Sequence, residues 1–182
     1  MIVCIAGFKG VGKTTFLNKL KSLGQIVFNI DDFITDIYRY NEIGFLLIKN
    51  EFGKEFVKST QVDRVKLNKL VVEDINAFLK LKKVISKLIV DYILDITKQY
   101  PNDNVFIEQA TLINDNEGYY KNLYDKVIFI ERKNVFLNNN HISKYLYIDR
   151  DKDFKYDYHF TNNKTIEDFE NKITLFINQN NF

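Results

Sequence analysis

The chain has 182 residues, of which 46% are hydrophobic and 27% charged, an ordinary balance for one compact globular domain. Its net charge of +2 comes from basic and acidic residues interleaved along the chain, which argues against a nucleic-acid partner. No stretch approaches the ~20 apolar residues that span a bilayer and no export signal is visible, so we expect no membrane partner and a cytoplasmic location.

The first predicted strand is the short apolar run Ile2–Ala6, which consists mostly of β-branched residues. A continuous run of this kind predicts a strand buried on both faces, as in a parallel sheet. The single cysteine of the chain, Cys4, lies in this run and has no partner for a disulfide, which suits a reducing compartment. We expect Cys4 to be a buried core residue rather than a reactive thiol.

A glycine-rich segment follows the first strand directly. Residues 7–14 read GFKGVGKT and satisfy the phosphate-binding pattern G-x-x-x-x-G-K-[ST] at every required position. The glycines let backbone N–H groups converge on a phosphate, and the helix that follows adds its positive end. Lys13 can reach the β- and γ-phosphates, and the Thr14 hydroxyl can ligate Mg²⁺. The predicted ATP contacts are Gly7, Lys9, Gly10, Val11, Gly12, Lys13, Thr14 and Thr15.

A helix is predicted from near Lys13 to Gly24, because apolar residues recur there at helical spacing. A second strand, Ile26–Asn29, follows and leads into the carboxylates Asp31 and Asp32. The next segment, about 33–98, lacks proline and has helical apolar spacing, which predicts a helical insertion. Further strands are predicted at Val105–Ile107, Lys126–Glu131 and Tyr156–Thr161. Thr165, at capping-box spacing from Asp168, begins a last helix.

Strands that alternate with helices predict an α/β fold with a mainly parallel sheet. Together with the phosphate-binding loop, this pattern is typical of the three-layer P-loop NTPase fold, in which helices flank the sheet. No repeat or linker divides the chain, so a single domain over residues 1–182 is expected. The chain lacks the guanine-reading pattern N-K-x-D of a regulatory GTPase, and its size suits a small kinase better than a motor or transporter ATPase.

Five further stretches of the chain can be compared with known motifs: Val27–Asp31, Phe52-Gly53, Val62–Leu67 with Leu70–Asp74, Glu108–Leu112 and Asp157–Asn162. In that order they are similar to V-I-D-A-D, an F-G pair, D-R-x-x-L with V-F-x-D, E-x-P-L-L and A-D-x-V-I-x-N. These are motifs of the dephospho-CoA kinase family, which the sequence resembles in patches from residue 1 to about 177.

The resemblance implies a kinase that uses ATP and Mg²⁺ to phosphorylate the ribose 3′-hydroxyl of dephospho-CoA, giving coenzyme A and ADP. This is the last step of coenzyme A biosynthesis, and the implied partners are small-molecule substrates. Asp31 stands where the family has its general base, and the end of a strand is a suitable place for it. On the alternative interpretation, Asp31 and Asp32 cap a helix that starts near Phe33.

Two further residues are implied to bind the acceptor. Arg64 resembles an arginine of the family's acceptor-binding region and could make a bidentate phosphate contact; alternatively it is a surface arginine paired with Asp63 or Glu73. Glu108 ends a strand, where it could hold Mg²⁺ through water or hydrogen-bond the acceptor; alternatively it faces solvent.

The sequence also departs from the family pattern. Asn29 replaces the first aspartate of D-A-D, Ser86-Lys87 replaces a common His-Pro, and Ala110 replaces a proline. The predicted lid, about 132–153, is shorter than the family's and poor in arginine. These departures leave open a nucleoside or nucleotide kinase with another acceptor, or a nucleotide-binding module with little or no catalysis.

Overall fold

The computed structural model of the chain describes residues 1–115, 118–120, 122–133, 154–180 and 182. Most of the predicted lid, residues 134–153, therefore lies outside the described residues. The strands are β1 (Ile2–Gly7), β2 (Ile26–Asn29), β3 (Val105–Glu108), β4 (Lys126–Glu131) and β5 (Tyr158–Thr161). The helices are α1 (Lys13–Ser22), α2 (Ile30–Ile37), α3 (Ile43–Phe52), α4 (Arg64–Glu73), α5 (Ile75–Gln99) and α6 (Ile166–Asn180). Short 3₁₀ turns lie at Lys54–Phe56 and Ala110–Asn114.

The five strands in the described part of the chain form one sheet, in the order β2-β3-β1-β4-β5. Every neighbouring pair is parallel, as the apolar runs predict. The central strand, β1, is buried along its whole length, because it has a strand on either side and packed side chains on both faces. The predicted parallel sheet flanked by helices is confirmed.

Alternate residues of β1 enter two different hydrophobic clusters, because successive side chains of a strand point to opposite faces. Val3 and Ile5 pack with buried residues of α1 and α6, whereas Cys4 and Ala6 pack with Phe129 on the other face. The residues that α1 and α6 contribute to the first cluster are Phe16, Leu17, Leu20, Phe169, Ile173 and Ile177. The helical spacing of apolar residues identified the buried face of α1 correctly. For α6 the spacing identified Phe169 and Ile173, but Ile166, which fits the same apolar face, is 70% exposed.

The chain divides into two compact units by the density of its internal contacts. One contains Met1–Asn29 and the described residues of 93–133 and 154–182, and so holds the whole sheet. The other, Ile30–Tyr92, is largely helical and has its own hydrophobic core. The buried members of that core are Ile37, Tyr38, Phe45, Ile48, Phe56, Val62, Leu67, Val71 and Ala77. The single-domain interpretation of the sequence stays a prediction.

One detail of the helical region differs from the sequence-based expectation. The helix after β2 begins at Ile30, earlier than the expected start near Phe33. Residues Ile75–Gln99 form one long helix within and just beyond the predicted helical insertion. Among the described residues, none of the helices combines the length and the apolar character that a bilayer crossing requires.

Candidate active site

The phosphate-binding segment lies between the end of β1 and the start of α1. Its backbone takes left-handed conformations at Gly10 (φ 84°) and Gly12 (φ 105°), which only glycine adopts without strain. Helix α1 begins at Lys13 with no acidic residue in its first turn, so its positive end is not offset locally. A loop of this shape at a helix N-terminus is suited to bind an anion such as a phosphate.

Lys13 is the buried charged residue of the segment, since only 7% of its surface is exposed. Its ammonium group donates to the carbonyl oxygen of Phe8 at 3.1 Å and lies 3.7 Å from a carboxylate oxygen of Glu108. Thr14, the next residue, is exposed, as a residue that contacts a metal–nucleotide complex should be. The lysine and the hydroxyl are therefore adjacent at the mouth of the loop.

Glu108 ends β3 and is 6% exposed, which excludes the alternative of a solvent-facing strand end. Its carboxylate accepts a hydrogen bond from the Asn29 side-chain amide at 3.1 Å. The sheet register explains this contact between Glu108 and Asn29. Glu108 pairs with Ile5 of β1 on one side and with Asn29 of β2 on the other. The carboxyl ends of three neighbouring parallel strands thus bring Lys13, Glu108 and Asn29 together, where ligands bind in open α/β sheets.

A second polar cluster is centred on the buried Gln109, the residue after Glu108. The Tyr124 hydroxyl donates to the side-chain carbonyl of Gln109, whose amide donates to Thr111 Oγ1 at 3.3 Å. Burial raises the pKa of the Tyr124 hydroxyl well above its ordinary value, and burial likewise raises the pKa of the Cys4 thiol. The raised pKa keeps the Cys4 thiol protonated at neutral pH, and its complete burial confirms the prediction that Cys4 is a core residue.

Asp31 and Asp32 lie in the first turn of α2, inside the helix rather than at its N-cap. The expectation that they cap a helix starting near Phe33 is thus wrong, because the helix starts at Ile30. Two carboxylates in a first turn are nevertheless favourable for the helix dipole. The main-chain carbonyl of Asp31 accepts a hydrogen bond from the Thr35 hydroxyl at 2.8 Å.

Arg64, the first residue of α4, contacts α2 within the helical unit. Its guanidinium donates to Thr35 Oγ1 at 3.2 Å and lies 5.6 Å from the centre of the Tyr38 ring. Asp63 instead accepts from the backbone N–H of Lys66 as the N-cap of α4 and pairs with Lys58 at 3.0 Å. The Lys58 hydrogen bond is the main cause that lowers the pKa of the Asp63 carboxyl. The alternative pairing of Arg64 with Asp63 or Glu73 is not what the structure shows.

Asn162 is not part of the phosphate-binding pattern, and no role was predicted for it as the last residue of the A-D-x-V-I-x-N stretch, yet it lies against the phosphate-binding loop. Its side-chain amide donates to the carbonyl oxygen of Val11 at 2.9 Å. A cavity of about 470 Å³ adjoins this contact, and its size would accept a nucleoside. The cavity is lined by Thr161, Asn162, Asn163, Lys164, Asp168, Phe169 and Lys172. Only the tertiary fold brings Asn162, which follows β5, to the loop near the start of the chain.

The Thr14 hydroxyl is the side-chain oxygen of the loop that could contact Mg²⁺. Among the described residues, no group of three or more His, Cys, Asp or Glu side chains could enclose a metal by itself. Magnesium in phosphate-transferring sites is held mainly by substrate phosphates and water, with only one or two protein oxygens. The exposed Thr14 hydroxyl beside Lys13 meets that requirement, so the residues present fit a metal that arrives with the nucleotide.

A protein-family model described as dephospho-CoA kinase (CoaE) matches residues 1–135, well over half of the chain. The chain belongs to the dephospho-CoA kinase family. It is therefore a kinase that uses ATP as co-substrate, and the family resemblance and the enzyme class predicted from the sequence are confirmed. The matched region includes the phosphate-binding loop, Asp31, Arg64 and Glu108; it ends before β5 and α6.

Individual relatives agree with this assignment. The chain is 39% identical over 140 residues to the dephospho-CoA kinase of Mycoplasma genitalium, covering 76% of this chain and 70% of that protein. The solved dephospho-CoA kinase of Campylobacter jejuni has the same fold, with a TM-score of 0.70 over 98% of this chain and 96% of that one at 21% identity.

A solved shikimate kinase also shares the fold. The shikimate kinase of Aquifex aeolicus matches with a TM-score of 0.52 and 18% identity, covering 100% of this chain and 99% of that one. The fold alone therefore does not select an acceptor, and residues outside the phosphate-binding loop must do so.

Proposed function

We propose that this chain transfers the γ-phosphoryl group of ATP to the ribose 3′-hydroxyl of dephospho-CoA, giving coenzyme A and ADP. The observation that carries the proposal is the buried Lys13 beside Glu108, at the ends of β1 and β3, in a chain of the dephospho-CoA kinase family. We propose the cytoplasm as the place of the reaction, because the single cysteine of the chain suits a reducing compartment.

In the proposed mechanism the loop amides and Lys13 hold the β- and γ-phosphates of ATP. Lys13 is confined by Phe8 and Glu108, so little side-chain freedom remains to be lost when a phosphate binds. Its positive charge offsets the negative charge that spreads over the transferred group. Thr14 would help to hold Mg²⁺, which would neutralise further negative charge on the nucleotide phosphates.

Three residues are proposed to act on the acceptor. Asp31 is the proposed general base, which accepts the proton of the ribose hydroxyl as that oxygen attacks phosphorus. Arg64, whose guanidinium is oriented by Thr35 and Tyr38, is proposed to bind a phosphate of the acceptor. Glu108 is proposed to accept a hydrogen bond from the acceptor, in a position kept by the Asn29 amide.

The direct test is an assay of purified protein with ATP, Mg²⁺ and dephospho-CoA, in which coenzyme A is detected by mass. We expect coenzyme A to form, and a parallel panel of nucleosides and nucleotides to be phosphorylated poorly. Phosphorylation of a nucleoside or nucleotide without any coenzyme A would replace the proposed acceptor. ATP binding without transfer to any acceptor would instead support the binding-module alternative.

Two variants with matched controls test the proposed roles. Lys13→Ala should lower kcat/KM by roughly 10²–10³-fold, a loss typical of a charge that stabilises the transition state. Lys19→Ala, in the same helix, should have little effect on kcat/KM. The Lys19 ammonium group lies 3.9 Å from a carboxylate oxygen of Glu170 and is not part of the loop.

Asp31→Asn should lower kcat by roughly 10²–10⁴-fold because the general base is lost, whereas Asp32→Asn should leave kcat unchanged. Full activity of the Asp31 variant would remove that residue from the mechanism.

A further inference from the structure

Asn162 connects the phosphate-binding loop to β5, the strand at the edge of the sheet. It follows β5 directly and is only 8% exposed. Its backbone N–H donates to the carbonyl oxygen of Glu131 at 2.8 Å, which continues the pairing of β5 with β4 and fixes its main chain. Its side-chain amide donates to the carbonyl oxygen of Val11 at 2.9 Å. The sheet therefore restrains one particular peptide group of the loop.

That peptide group is the one between Val11 and Gly12. The peptide bonds of the described residues are all trans, and in a planar trans peptide the C=O and N–H bonds point in opposite directions. Because Asn162 holds the Val11 carbonyl on its own side, the N–H of Gly12 is turned to the opposite side. A phosphate-binding loop requires its N–H groups to be directed at the anion rather than into the protein.

The packing around Gly12 leaves this arrangement little freedom. A Cβ atom at Gly12 would lie 2.4 Å from the Asn162 amide nitrogen and 3.4 Å from the Phe169 ring. The loop backbone thus lies directly against both side chains. Helix α6, which carries Phe169, is fixed by its cap, since the backbone N–H of Asp168 donates to Thr165 Oγ1 at 3.1 Å. The turn that holds Asn162 is therefore anchored on both sides, by β5 and by α6.

We propose that Asn162 is a positioning residue of the phosphate-binding loop, which holds the Val11–Gly12 peptide so that the Gly12 N–H is presented to a bound phosphate. The inference rests on the proposed binding of ATP and adds a residue that is remote from the loop in sequence. Asn162 acts through the loop backbone, so its loss should weaken the binding of phosphate groups whether or not a nucleoside is attached to them.

The test compares two ligands, ADP and inorganic tripolyphosphate, by calorimetric titration of the wild-type protein and two variants. Asn162→Ala should weaken the binding of both ligands by about fivefold to tenfold, the effect of losing one buried hydrogen bond that orients the loop. The matched control is Asn180→Ala. Asn180 also donates its side-chain amide to a main-chain carbonyl, that of Phe176 at 2.8 Å, but at the end of α6. We expect affinities within twofold of wild type for the control.

Tripolyphosphate separates this role from direct recognition of the nucleoside, because Asn162 also lines the neighbouring cavity. Weaker binding of ADP with unchanged binding of tripolyphosphate would mean that Asn162 contacts the nucleoside, and would overturn the proposal. Unchanged binding of both ligands would overturn it as well. Both titrations need no acceptor, so a failure to make coenzyme A would contradict the proposed function alone. If the wild-type protein bound neither ligand, both proposals would fall.

A measurement on the wild-type protein covers the case in which Asn162→Ala does not fold. The side-chain amide protons of Asn162 should exchange slowly with solvent in the nucleotide-free protein, because the amide is buried and bonded to Val11. Exchange as fast as that of the exposed Asn180 amide would contradict the hydrogen bond on which the proposal depends.

Discussion

At the scale of single residues, the group formed by Lys13, Glu108 and Asn29 shows why a departure from the family pattern is compatible with the site. Burying the Glu108 carboxylate is costly unless it is paired and hydrogen-bonded. Lys13 supplies the opposite charge at 3.7 Å, and Asn29 supplies a neutral donor at 3.1 Å. An ionised aspartate at position 29, as in the family motif, would have no proton to donate and would add a like charge.

The first prediction is therefore that Asn29 acts through Glu108. Asn29→Ala should lower kcat/KM by about threefold to tenfold, because the carboxylate loses the donor that orients it. In a Glu108→Gln background the same change should have little further effect, since the two residues form one coupled unit. Steady-state kinetics of the two single variants and the double variant measure this coupling.

Asn18→Ala serves as the control for that cycle, because Asn18 is exposed on α1. It should leave kcat/KM unchanged. Strictly additive effects of the Asn29 and Glu108 changes would show that Asn29 does not act through the carboxylate.

At the scale of elements, α6 links a local sequence signal to the site. Thr165 accepts a hydrogen bond from the backbone N–H of Asp168, as the capping-box spacing predicts. The Thr165 hydroxyl also donates to the Asp168 carboxylate at 2.8 Å, and this bond is the main cause that lowers the pKa of Asp168. The cap sets the start of the helix whose residue Phe169 packs beside Gly12.

The second prediction is that Thr165→Ala lowers Tm by about 2–4 °C at pH 7, whereas Thr165→Ser, which keeps the hydroxyl, changes it much less. Because the folded state lowers the pKa of Asp168, its contribution to stability is present above the unfolded pKa of about 3.9. It is lost as the pH falls through the folded value. The difference in Tm between wild type and Thr165→Ala should therefore shrink on acidification below about pH 4. Thermal unfolding over a pH series measures it, and a constant difference would contradict the linkage.

At the scale of the whole molecule, the end of the chain belongs to the same core as the beginning. The family match ends at residue 135, yet β5 and α6 lie beyond it and pack against β1 and α1. Phe160 of β5 and Phe169 of α6 both contact the ring of Phe16, at 5.1 and 6.0 Å between centroids. The phosphate-binding half of the protein thus depends on residues that the family match does not include.

The third prediction tests this dependence on one helix. Ile173, which is 0% exposed, lies in the core cluster, whereas Leu175 on the same helix is 60% exposed. Ile173→Ala should lower the free energy of unfolding by roughly 2–5 kcal/mol, because a buried cavity forms. Leu175→Ala should change it by less than about 0.5 kcal/mol. Urea denaturation measures both, and equal losses would contradict the placement of α6.

Patterns along the chain were sufficient to predict the elements whose signals are local. The apolar run of β1, the glycine-rich loop, the buried face of α1 and the Thr165 cap each depend on residues close together in the chain, so their patterns predict them directly. The buried state of Cys4 was predicted on the same basis, the fold class from the alternation of strands and helices, and the family from its resemblance in patches along the chain. The roles of Asp31 and Arg64 stay predictions.

The contacts between residues that are distant in the chain follow from the fold and could not be predicted. The order β2-β3-β1 places Asn29 and Glu108 beside Lys13, and no spacing in the chain encodes that order. The contact of Asn162 with Val11 joins residues 151 positions apart, and the start of α2 at Ile30 puts Asp31 inside the helix rather than at its cap. The reason is physical: such pairings are selected by the packing of whole elements, so the pattern along the chain carries no signal for them.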